Sequence, residues 1–362
     1  MKLPKKAIFL LILVAICLCI KIYSSNAARV ELGYSMGTYP AIGRGLRALL
    51  GQWAFSVGDI LYGAAFLFVC YKLVRMVRFI YINRTRELYV KRLKLFLYRG
   101  LITACVLYIL FNVLWGINYN RQGIAAQLQL KIEKYSKEDL RQLNCLLIDK
   151  VNASKRSWVA KGKPYPSTTL LFQNAGMAYK KLQQEFSFLQ MEHLSVKPSM
   201  WSWLGNYSGF TGYYNPFTGE AQVNTTIPRF LQPYTTCHEL AHQLGYAREM
   251  EANFVGYLAA RASSDTLFHY SVYLDLFMYA NRNLYMNDSV AAKLYRKDLA
   301  PAVVDDLREW QRFRATHSGR LEPFIRWIYG KFLQSNQQPN GISSYDEVTG
   351  YLMAYYKKYG KI

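Results

Sequence analysis

Histidine occurs only five times in this 362-residue chain, and cysteine six. Six cysteines in that length cannot staple a disulfide-rich scaffold. Four of them, Cys17, Cys19, Cys70 and Cys105, lie in apolar runs, and the spacing of Cys145 and Cys237 marks neither a disulfide nor a zinc knuckle. Acid is scarce as well: 23 Asp+Glu face 45 Lys+Arg, a net charge of +22. No repeat of about 20–50 residues is visible, which excludes solenoids and propellers. Disorder is excluded by a hydrophobic share of 52%. The basic excess leaves a nucleic-acid reading open until its position is known.

That excess is concentrated near the N-terminus. Met1 to Tyr119 holds 16 Lys/Arg against Glu31, Asp59 and Glu87. Lys72 to Lys94 alone holds eight of them against Glu87, and Lys2, Lys5 and Lys6 add to the tail. These clusters flank three apolar runs that predict membrane helices over about 7–23, 53–71 and 95–115, each near the length of about 20 residues that spans a bilayer. The runs are apolar all round rather than striped, unlike the helices of a soluble domain. The first could instead be a signal peptide ending at Ser25-Asn26-Ala27, but Lys21 between run and cleavage site favours an uncleaved helix. The positive-inside rule puts the N-terminus and a Lys72–Lys94 loop in the cytoplasm and residues 120–362 outside it. Much of the charge is then a topology signal, and no nucleic-acid partner is expected. Asp59, near the outer end of the second span, is expected to serve the helix end.

Beyond Tyr119 the pattern turns amphipathic. Ser136 with Asp139, and Ser167, predict helix starts, and 210–214 and 220–224 predict two strands around Asn215-Pro-Phe-Thr-Gly219. The fold class expected is three transmembrane helices, residues 1–119, followed by a mainly α (α+β) domain, residues 120–362, with a small β-sheet. The strand 220–224 could accept an extended substrate by strand addition.

The chemistry sits in Thr235-Thr-Cys-His-Glu-Leu-Ala-His-Gln-Leu-Gly245. His238 and His242, four apart, project from one helix face and can share one metal ion. Glu239 beside the first can take the proton of a water activated there. Gly245 can end that helix, and a new one opens Glu249-Met-Glu251-Ala-Asn253. Glu249 is the first choice for a third ligand, with Asn253 one turn on as a supporting hydrogen-bond partner. Glu251, which points roughly 200° away around the helix, is the second choice or an acid at its helix N-terminus. Tyr213, Tyr214, His269, His317 and Tyr345 are candidate donors to a reacting carbonyl oxygen.

His238-Glu-Leu-Ala-His242 with Glu249 to Asn253 resembles the gluzincin clan of metallopeptidases, although the interval between His242 and Glu249 is shorter than in most of them. The third-ligand position of the metzincins holds Arg248 instead. Phe55 to Tyr62, Leu114 to Tyr119, Phe217 to Asn224, the HELAH segment and Gly341 to Tyr345 together resemble an uncharacterised (domain-of-unknown-function) family of bacterial membrane proteins with an HExxH domain. The resemblance implies a zincin-like outer domain carrying one Zn²⁺, a peptide or protein substrate, and a place in the bacterial plasma (inner) membrane. It also favours Tyr345 among the candidate donors. A non-catalytic membrane protein with a structural zinc site or a partner-binding zincin-like domain remains the alternative.

Overall fold

The computed structural model describes residues 4–82, 86–319 and 321–362, without the side chains of 86, 87, 321 and 344–346. The first membrane helix, α1, is Lys5–Ser24. A π-helical stretch, Val30–Thr38, leads into α2, Tyr39–Leu50. The second and third spans are α3, Val57–Ile82, and α4, Arg86–Leu114. By length and composition these three long helices are able to cross a bilayer, and their apolar side chains face outward along most of their length. Three helices of this length and composition are those of a membrane protein.

Two sequence expectations need correction here. The second span begins at Val57 rather than at 53, because Ser56 Oγ accepts a hydrogen bond from Asp59 N at 3.0 Å and fixes the helix start. It then continues to Ile82, through Lys72, Arg75 and Arg78. The expected basic loop is thus helical on both sides of residues 83–85, which lie outside the described residues and include Arg84. Lysine and arginine are good helix formers, so nothing in this segment obliges the helices to stop at the membrane surface.

The rest of the chain is mainly helical: α5, Lys137–Ala160, α6, Thr168–Glu185, and, after the sheet, α8, Gln232–Gln243, α9, Glu249–Ala262, and α10, Thr266–Asn287. Pro301–His317 (α11), Leu321–Ser335 (α12) and Val348–Tyr359 (α13) complete it. α5 starts where expected, with Ser136 and Asp139 forming a capping box, and Ser167 Oγ caps α6. Their apolar faces close on α8, α9 and α10, where Tyr179, Phe254, Tyr257, Phe268 and Tyr355 are buried.

Strands β1, Val196–Pro198, β2, Gly212–Asn215, and β3, Glu220–Val223, form one sheet in the order β1-β3-β2, with α7, Ser202–Ser208, between the first two. The two strands expected from sequence are present as an antiparallel pair. However, β3 is the central strand and wholly buried, paired on its other side with β1, so it cannot receive a substrate strand as expected.

The sheet also grips the membrane helix. Glu220 accepts from Gly58 N at 2.6 Å and Val57 N at 3.3 Å, so its carboxylate meets the positive N-terminus of α3. Asp59 is fully buried, accepting from Met200 N at 2.6 Å and from the Tyr213 hydroxyl. Its expected role at the helix end is thus also an attachment: it ties the first turn of α3 to the sheet and to the residues just before α7.

Candidate metal centre

Helix α8 carries the two histidines, and its environment is fixed before any ion is considered. Gly245, at φ 82°, adopts the left-handed conformation that glycine tolerates, which ends α8 and lets the chain reverse into α9. Gly256 lets the two helices approach closely, since a Cβ there would stand 3.0 Å from His238 N. Glu249 in the first turn of α9 is thereby delivered to the histidine face of α8. Its Oε2 lies 3.2 Å from His238 Nε2 and 3.5 Å from His242 Nε2.

These separations match ligand atoms that share one ion. Bonds of about 2.0–2.2 Å in tetrahedral arrangement put neighbouring ligand atoms roughly 3.3–3.5 Å apart. Glu249 Oε2 is buried and receives no hydrogen bond, which leaves a lone pair aimed at the space between the rings. His242 Nδ1 lies 2.7 Å from the Tyr246 carbonyl, which can only accept. The proton therefore sits on Nδ1, and Nε2 presents its lone pair. Ligand-type atoms of His238, Glu239 and His242 also lie within 4.8 Å of one another, a buried group that could hold a metal ion. Glu249 has the closer contacts with the imidazole nitrogens, so it fits the ligand role better than Glu239 does.

The supporting contacts follow. The Asn253 side chain hydrogen-bonds the His238 ring, and Tyr234 Oη donates to Asn253 Oδ1 at 3.3 Å. Tyr329 on α12 donates to Glu249 Oε1 at 2.7 Å, and Gln338 Oε1 accepts from Glu249 N at 2.9 Å. Burial opposes charge on Glu249, but with no ion between them and the imidazoles protonated, the two rings outweigh it and hold its carboxyl far below the usual range. Burial likewise opposes charge on His238, and Glu249 with Glu239 raises its pKa nonetheless. Glu239 differs: burial pushes its carboxyl up to about 7, against the pull of both histidines. Its Oε2 is buried with no hydrogen-bond partner, while Oε1 stands beside Gly212, where a Cβ would come within 2.6 Å.

The cavity before His238 and Glu239 has a volume of about 340 Å³ and runs between α7, β2, α10 and α12. Phe210, Gly212, Asp275, Tyr279, Arg282 and Tyr329 are among its walls. Asp275, which sequence reasoning did not single out, is pushed up to about 7 by burial, with His238 pulling the other way.

The other sequence candidates fall elsewhere. Glu251 is fully buried against Gly123, 3.5 Å from Arg248 Nη1, so the structure brings Glu249 and not Glu251 to the histidines. Tyr213 is engaged with Asp59, and Tyr214 with Tyr39. His269 bonds the Ser263 carbonyl, and His317 bonds the Phe313 carbonyl. The side chain of Tyr345 lies outside the described residues.

Sequence reasoning missed the residues that hold the end of α8. Trp115 Nε1 donates to His242 O at 3.1 Å, Tyr39 Oη to Gln243 O at 2.9 Å, and Arg121 Nη1 to Leu244 O and Gly245 O at 3.4 and 3.2 Å. Arg121 also forks onto the Glu31 carboxylate, at 2.6 and 3.0 Å, and lies over the Tyr246 ring. A signal existed for Glu31: it is one of three acids in the first 119 residues.

Replacing Tyr329 by Phe should lower affinity for a divalent ion about 10–100-fold, as loss of a bond to a ligating group does. Competition against a chromophoric chelator measures this, and an unchanged affinity would deny Tyr329 its orienting role.

A family model described as a protein of unknown function (DUF3810) matches residues 34–353, so the chain belongs to that family. No curated protein and no solved structure matches it.

Proposed function

We propose that this member of the DUF3810 family is a membrane-anchored zinc metallopeptidase, with its hydrolytic domain on the extracytoplasmic side of the bacterial plasma membrane. The observation that carries the reading is the approach of Glu249 Oε2 to both histidine Nε2 atoms, with the unpartnered Oε2 of Glu239 in the same buried group. His238, His242 and Glu249 would hold the ion, a donor set that suits zinc. A divalent ion bound there supplies Lewis acidity, which polarises a carbonyl and acidifies water.

The chain's own groups do the rest. Glu239 Oε2 would accept the water's proton and pass it to the departing amine nitrogen, a role open to a buried carboxylate oxygen that has no other hydrogen-bond partner. An extended substrate finds its sheet edge at β2 rather than at β3, because Gly212 of β2 lines the cavity. Tyr279 and Arg282, which line the cavity together with His238, are donor candidates for the carbonyl oxygen in place of Tyr213, Tyr214, His269 and His317. The side of the membrane follows from the basic residues around 72–94 at the far ends of α3 and α4.

Metal analysis of the purified full chain tests the reading: one zinc per chain is expected, and removal by chelation should abolish cleavage of a peptide library until zinc is restored. A chain without a stoichiometric divalent ion would overturn it. A different stoichiometric ion would keep the site and replace the metal.

A further inference from the structure

Helix α12 has two faces with different business. Tyr329 and Leu333 point inward, Tyr329 to Glu249 and Leu333 into full burial. Phe324, Trp327, Ile328 and Phe332 share the other face at the spacing of successive helical turns, and all four are exposed, Trp327 to 61%. Across the cavity, Trp203, Leu204 and Tyr207 of α7 are exposed too, Trp203 to 60%. So much contiguous apolar and aromatic surface is more than a water-facing rim ordinarily shows.

Both helices adjoin the membrane spans at one end. The Phe332 ring packs against Phe111, one turn from the end of α4, with centroids 6.2 Å apart. Trp201, just before α7, donates to Asp59 O at 3.1 Å and lies against Gly63, under two turns into α3. The stripe on α12 is thus continuous with the outward-facing apolar surface of α4, and the aromatics of α7 with that of α3. Tryptophan and tyrosine gather at the depth where spans meet water, and an amphipathic helix buries such a face about 5–10 Å into the headgroup–acyl boundary. Lys331, on the same side of α12, has a stem long enough to reach the headgroups.

We infer that the Phe324–Trp327–Ile328–Phe332 face of α12, together with Trp203, Leu204 and Tyr207 of α7, is seated in the surface of the bilayer that α1, α3 and α4 cross. The cavity between α7 and α12 then opens at the membrane surface, and the helix that supplies Tyr329 to Glu249 rests on lipid. This rests on the spans and not on the peptidase reading.

Tryptophan emission of the full chain in nanodiscs tests it, one copy per disc, in ordinary and in bromine-labelled phospholipid. Trp327→Phe keeps an apolar ring at an exposed position, so folding should survive. The emission lost with Trp327 should be a component that bromolipid quenches and aqueous iodide does not; Trp203→Phe should behave alike. If the component lost in both variants is quenched by iodide and untouched by bromolipid, the face looks into water, where a protein partner or second copy would cover it, and the inference is overturned.

Discussion

Glu239→Gln is expected to keep a full complement of metal while kcat falls about 100- to 10,000-fold, the range over which a positioned general base contributes. The amide is nearly isosteric, so the buried space beside Gly212 stays filled and His238 and His242 keep their places. What is lost is a group that can accept a proton at neutral pH and release it again. Separating metal content from turnover makes the result decisive. A variant that holds zinc and cleaves as fast as wild type would remove Glu239 from the reaction. A wild type that holds zinc and cleaves nothing would leave the non-catalytic reading.

The second large effect belongs to Arg121→Met, which should destabilise the fold by about 3–5 kcal/mol, the cost of stripping the partner from a buried charge. Arg121 and Glu31 are exposed to 3% and 5%, so Glu31 would be left in the interior facing only Gly123 N and Gln127. The carbonyls of Leu244 and Gly245 would lose their donor too, so metal affinity should fall along with stability. Denaturant unfolding of wild type and variant measures the first effect, and a loss under 1 kcal/mol would mean that water replaces the guanidinium. In the wild type, burial raises the Glu31 pKa, but Arg121 more than reverses it. With the folded pKa depressed, this pair's contribution is complete above the unfolded carboxylate range and lost as pH falls below it.

How far sequence could see depended on the range of the interaction. The spans were legible because Ala7–Ile20 and Leu101–Trp115 declare themselves residue by residue, as were the caps at Ser136 and Ser167. His238 and His242 were legible because one helix turn sets their relation. Glu249 against Glu251 was a matter of helical phase, and the structure places them as that phase expects. What escaped was set by contacts between distant segments. Val196–Pro198 is three residues long and is a strand only because β3 lies beside it. Tyr329, 80 positions from Glu249, carries no local mark, since 30 tyrosines compete for notice. Glu31 and Trp115 read as parts of the membrane region and Arg121 as the start of the outer domain, yet together they hold the end of α8.

That last arrangement bears on release from the cell surface. A hydrolase on a simple stalk would go on working after the stalk was cut. Here a cut in the 115–121 segment would separate Tyr39, Trp115 and Glu31 from the HELAH helix, leaving the carbonyls of His242 and Gln243 without their donors and Arg121 without its carboxylate. The membrane segments therefore help to hold the candidate site, and under the proposed reading a cut there would destroy the hydrolytic function and not export it.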